Sequence, residues 1–184
     1  MRRLGGFRPR SIVGLLAVLL AAGISVGAAS QPVLALPAAG SSAQPPSVPP
    51  ELEVPPGNKL AATLPAVGVQ IYQCTAGAWA FVEPAASLAV GALPVAIHFR
   101  GPSWQSVRDG SLVEGRVIAS VPSPGTIPLL LLQATRVRGD GLFGRTSYIQ
   151  RLATTGGAAP TTACTDGQTT GVRYTARYLF YAPA

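Results

Sequence analysis

From about Gly68 onward, polar and apolar residues alternate in short runs, each bounded by Gly or Pro. Gly68–Cys74 (GVQIYQC), Ala78–Val82 (AWAFV) and Val95–Arg100 (VAIHFR) alternate residue by residue, and Ser111–Ser120, Leu129–Val137, Thr146–Leu152 and Val172–Tyr181 continue the pattern. A period of two punctuated by turn formers predicts strands rather than helices. In the last run Val172, Tyr174, Ala176, Tyr178 and Phe180 share one face. In the third, Val95, Ile97 and Phe99 lie opposite His98. Leu129–Leu132 has no polar side, which predicts a strand covered on both faces. One helical turn is expected at Pro84–Leu88 (PAASL), opened by its proline. The pattern predicts an all-β, single-domain fold, a β-sandwich or a small β-barrel, and does not choose between the two.

The amino terminus follows a different rule. Met1–Arg10 carries four arginines and no acid, and Ser11–Ala28 is an uncharged apolar run. This basic-then-apolar layout predicts a signal peptide over 1–35, cleaved near one of the small residues Gly27, Ala28, Ala29 or Ala35. The run is also long enough to serve as an uncleaved anchor, the one route by which the chain would meet a membrane. Residues 36–53 read as a linker rich in Pro, Ala and Ser with no periodicity. That leaves 54–184 as a single β-rich domain with enough residues for one sizeable core. The expected location is secreted, extracellular or in the cell envelope.

Charge then narrows the function. The chain has 14 Lys+Arg against 7 Asp+Glu, but Arg2, Arg3, Arg8 and Arg10 leave with the signal, so the mature balance is 10 against 7. A scattered excess of this size gives no footprint for nucleic acid. Charged residues make up 11% of the chain, well below the about 25% of ordinary globular proteins. Glu51 and Glu53 fall in the linker, so any acid–base chemistry must come from Glu83, Asp109, Glu114, Asp140 or Asp166.

Cys74 and Cys164 are the two cysteines, and an exported domain favours pairing them. A bridge across a loop of this length gives about 4.5 kcal/mol by chain entropy, as an upper figure. The competing reading, two thiolates on a metal, needs two further ligands, and the chain has one histidine. No metal and no cofactor is therefore expected.

That histidine, His98, stands beside Gly101-Pro102 and shortly before Trp104. It reads as a packing or rim residue, or as a catalyst if a nucleophile and an orienting acid come near. Ser103, Asp109 and Ser111 are close in sequence, but Ser103 lies in Gly-Pro-Ser-Trp-Gln and not in a Gly-x-Ser-x-Gly elbow. Asp109-Gly110-Ser111 is first of all a turn. Aromatics such as Trp79, Trp104, Tyr174 and Tyr178 mostly fill cores, and one left on an open face would suit a sugar or an aromatic ligand. Gly139-Asp140-Gly141-Leu142-Phe143-Gly144 matches the dinucleotide-binding spacing, yet an alternating run follows it where a helix amino terminus would be needed. It is expected to be a hairpin loop.

The order Gly68-Val-Gln-Ile-Tyr72-x-Cys74, Trp79-x-Phe81-x-x-Pro84, His98-Phe-x-Gly101-Pro102-Ser-Trp104, Asp109-Gly-Ser-x-Val113-x-Gly115, Ile149-Gln-Arg151-Leu-x-Thr154-x-Gly156-Gly157 and Tyr174-x-Ala176-x-Tyr178-x-Phe180-Tyr181 resembles a secreted bacterial and fungal family known as domain of unknown function 3455. The resemblance implies export, a bridge between the Tyr-x-Cys strand and the segment after Gly156-Gly157, and a β-rich fold. It implies no activity. Where it leads one to expect an aromatic after Ile127-Pro128, this chain has Leu129.

The leading functional expectation is a disulfide-stapled β domain that binds an unknown ligand or an envelope component. The site candidates are His98, Trp104, Asp109 and Ser111, and the turns at Gly101-Pro102 and Asp109-Gly110-Ser111 are expected to bring His98, Trp104 and Asp109 to one end of the sheet. The alternatives are a hydrolase using His98 with Asp109, or a carboxylate pair such as Glu83 and Asp109, and a structural envelope protein without a small-molecule site.

Overall fold

The computed structural model describes residues 48–184. The expected signal peptide and most of the linker lie outside the described residues. The alternating runs become strands β1 (Asn58–Thr75), β2 (Ala78–Val90), β3 (Leu93–Phe99), β4 (Ser103–Ser106), β5 (Leu112–Val121), β6 (Leu129–Arg138), β7 (Tyr148–Gly156) and β8 (Thr169–Pro183). Each pairs antiparallel with the next, and β8 closes onto β1, making an eight-stranded barrel. Closure decides the question the pattern left open: a barrel, not a sandwich. It removes both exposed sheet edges. At the β1–β2 hairpin, Ala76 and Gly77 hold φ of 52° and 73°, as a two-residue turn matched to strand twist requires.

One expectation needs correction. Pro84–Leu88 is not a helical turn but part of β2, with Gln70 opposite Pro84 and Ala96 opposite Leu88. Pairing with β3 begins only at Ala86, so the proline stands where the ladder is one-sided and its missing donor is tolerated. In β3, His98 lies opposite Val95, Ile97 and Phe99 as expected, and the face that turns inward is that of Ala96 and His98, while Ile97 is 43% exposed. Strand β4 had no sequence signal, because four residues between two turns are too few to show a period.

The barrel interior holds the main core. Leu64, Ala66, Leu88, Val113, Ile149 and Phe180 pack there with Trp104 and Tyr178. Gly68 of β1 lies opposite Tyr174, and any Cβ there would meet Ala85 and Ala86. A second cluster sits on the barrel's outer face. Leu131, Leu152 and Leu179 are covered by Leu52, which ends the short 3-10 turn Pro50–Leu52. Leu52 is fully buried, and its carbonyl accepts a bond from the Gln150 side-chain nitrogen at 2.6 Å. The packed unit therefore begins before residue 54. The all-apolar run Leu129–Leu132 is covered on both faces because the barrel core takes one face and this segment the other.

Candidate functional site

In an up-and-down barrel successive turns alternate between the two ends. The β2–β3, β4–β5 and β6–β7 connections share one end, and the β1–β2, β3–β4, β5–β6 and β7–β8 connections share the other. The first end is closed by the glycine-rich segment Gly139–Gly144. It is a loop, as expected, and it carries the fully buried Phe143 inward to pack on Phe180 with ring centroids 4.7 Å apart.

Asp109 and Ser111 belong to this closed end. The Leu142 amide donates to Asp109 Oδ2 at 3.1 Å, and the Phe143 amide donates to the Ser111 hydroxyl oxygen at 3.1 Å. The Ser111 hydroxyl and the Ser111 and Leu142 amides hold the Asp109 carboxyl down at about 2. The pair pins the Phe143 plug. His98 and Trp104 lie toward the β3–β4 turn, at the other end of strands β3 and β4. The four candidates thus divide two and two, because consecutive hairpin turns fall at opposite ends of a meander.

His98 and Trp104 are brought together. They pair across β3 and β4, and their rings stack with centroids 4.4 Å apart and planes 3° from parallel. Tyr178 of β8 meets both edge-on, at 5.1 Å and 5.3 Å. His98 Nδ1 donates to the Ser103 carbonyl at 2.8 Å. A carbonyl only accepts, so the proton is on Nδ1 and Nε2 keeps its lone pair. Burial drives the imidazole pKa down from 6.5 to about 3; the Ser103 bond opposes this and the Arg151 cation adds to it. His98 is neutral at ordinary pH.

These rings form one wall of a pocket of about 290 Å³, at the lower end of the range for ligand sites. Leu130, Leu132, Val117 and Pro84 supply apolar walls, and Gln70 and Arg151 project into it. The rim carries Glu83 and Arg100, paired at 3.2 Å. Four buried polar side-chain atoms among the described residues have no hydrogen-bond partner: Gln70 Nε2, Trp104 Nε1, Tyr174 Oη and Tyr178 Oη. Three of those side chains line this pocket. Each buried group left unpaired costs about 1–3 kcal/mol, so their grouping in one place calls for a cause.

Arg151 was missed by the sequence reading, although it stands in the Ile149-Gln-Arg151 motif. It lies on the interior face of β7, in register with Leu130 and Tyr178. Its Nε donates to the Pro128 carbonyl at 3.0 Å. Among the described residues the ion pairs are Arg100–Glu83 and Arg136–Glu114, and Arg151 is in neither. Every Asp and Glu of the chain lies among the described residues. A cation half-buried without a counter-ion was signalled only by a charged residue inside an alternating strand.

The β7–β8 connection is fastened at the pocket end by several bonds. Cys74 and Cys164 form the expected disulfide, the Trp79 indole donates to the Thr162 carbonyl at 3.0 Å, and Tyr72 Oη donates to the Gly157 carbonyl at 2.6 Å. With both sulfurs bonded to each other, the thiolate-metal reading ends.

The family profile described as "Protein of unknown function (DUF3455)" matches residues 89–182, from the end of β2 through β8. The chain belongs to this family. The match takes in His98, Trp104 and Arg151 but stops short of Gln70 and Glu83. Comparison with the curated proteins and with the solved structures returned no match.

Proposed function

We propose that the protein is a binding protein that encloses a small, largely apolar molecule in the open end of its barrel, in contact with His98, Trp104 and Tyr178. The observation that carries this is the pocket itself, apolar in its walls and lined by buried donors that the protein leaves without partners. Eight strands give an interior that is either filled by side chains or left with room for one small ligand. Here Phe143 and Phe180 fill one end, and the other keeps a cavity with Trp104 in its wall.

The hydrolase alternative has less support. His98 binds a carbonyl where an orienting acid would be needed, Asp109 is engaged with the loop at the closed end, and Glu83 is tied to Arg100. An exported protein remains our reading of its location. The disulfide supports it, and no described helix is long and apolar enough to cross a membrane.

The test uses the neutral fluorophore N-phenyl-1-naphthylamine. Saturable binding near one equivalent is expected, and it should be lost in Leu130→Trp or in Val117→Trp, each of which adds bulk to a pocket wall while the melting temperature stays within a few degrees. Unsaturable fluorescence, or binding that both folded variants retain, would place the probe elsewhere and reject the pocket.

A further inference from the structure

We infer that the pocket is built for a compact organic anion, whose charged oxygens are taken by the Arg151 guanidinium together with the Trp104 indole N–H and the Gln70 amide. This rests on the pocket being the ligand site. Two independent features point to it.

The first is charge. Arg151 and Arg100 line the pocket against one acid, Glu83, which Arg100 already holds. Arg151 is left in a mostly apolar interior with its Nε tied to Pro128 and no carboxylate in range. An interior cation without a counter-ion is costly unless something compensates it. A ligand oxyanion would do so, and a guanidinium suits carboxylate, sulfonate or phosphate geometry.

The second is donor type. Trp104 Nε1 can only donate, and it is unpartnered in a residue 1% exposed. The Gln70 nitrogen is likewise a donor, in a residue 2% exposed. Donors left open beside a cation select acceptors, and an anionic oxygen is the strongest acceptor available.

Size follows from the interior packing. Below the His98–Trp104 stack, Phe180 meets Trp104 at 5.9 Å and Phe143 meets Phe180, so there is no channel for a long acyl chain. The stacked rings suit a planar or ring-bearing body.

The experiment compares 8-anilinonaphthalene-1-sulfonate with N-phenyl-1-naphthylamine, the same aryl skeleton without the sulfonate. The anion should bind about tenfold tighter or more, with a preference that falls as salt rises. Arg151→Gln should remove that preference while leaving the neutral probe nearly unchanged. Arg151→Lys, which keeps the charge, should retain part of it and covers the case in which the glutamine variant does not fold. Arg136→Gln is the control, since Arg136 pairs with Glu114 away from the pocket lining, and should change the preference little. Equal affinities for the two probes, or a preference that survives undiminished in a folded Arg151→Gln or falls as much in Arg136→Gln, would overturn the inference while leaving the pocket standing. Failure of the neutral probe to bind the wild type would reject the pocket instead. Displacement of the anionic probe by dodecanoate but not by 2-naphthoate would overturn the compact shape.

Discussion

A neutral imidazole stacked on an indole, with a cation nearby, resists protonation, and His98 should show this in stability. The unfolded chain takes up its proton near pH 6.5, the folded protein only near 3. The advantage of the folded state is therefore whole above about 6.5 and is lost as pH falls toward 3. Between pH 7 and 4.5 the loss should reach about 2–3 kcal/mol, read from urea midpoints. His98→Gln should flatten this part of the profile, and an unchanged acid limb in that variant would assign it to other groups. Nitrogen NMR of the protein's one histidine should show Nδ1 protonated and Nε2 bare at neutral pH. The inward position of His98 could not be read from β3, where Val95, Ile97 and Phe99 look like the core face. A barrel's inner surface is crowded, and there small Ala96 and flat His98 fit against Trp104. Arg151 was hidden for the same reason: alternation gives the face of a residue but not which face closes inward.

At the scale of elements, two non-strand segments should matter most to stability. Phe143 plugs the closed end from a loop held by Asp109 and Ser111. Phe143→Ala should cost about 3–5 kcal/mol, and Asp109→Ala should lower the melting temperature by less, since the carboxylate holds the plug and is not itself the plug. Leu52→Ala should cost about 2–5 kcal/mol by uncovering Leu131, Leu152 and Leu179. None of these changes touches the pocket, so probe affinity should persist in every variant that folds. The glycine-rich loop was legible as a loop, because an alternating run follows it and a dinucleotide site would need a helix there. The plugging role of Phe143 was not legible, since it depends on contacts across the barrel. Nor was the strand at Pro84–Leu88: proline and alanine suggest a helical start locally, and pairing with β1 and β3 overrides them.

For the molecule as a whole, barrel closure came from pairing β1 with β8, two segments at opposite ends of the domain, which no local pattern encodes. The disulfide between Cys74 and Cys164 joins the β1–β2 end to the β7–β8 connection at the pocket side. Cys74→Ser should therefore cost up to about 4.5 kcal/mol and weaken probe binding as well, with melting temperature and affinity as the two readings. The pocket's open donors await a ligand. In a Trp79→Phe background, Trp104 gives the remaining indole N–H signal in a proton–nitrogen NMR spectrum. On saturation with 8-anilinonaphthalene-1-sulfonate this signal should move downfield and its exchange with solvent should slow, as the N–H gains an acceptor. A Trp104 indole signal that stays in place while the probe is fully bound would mean that the pocket's donors do not hold the ligand.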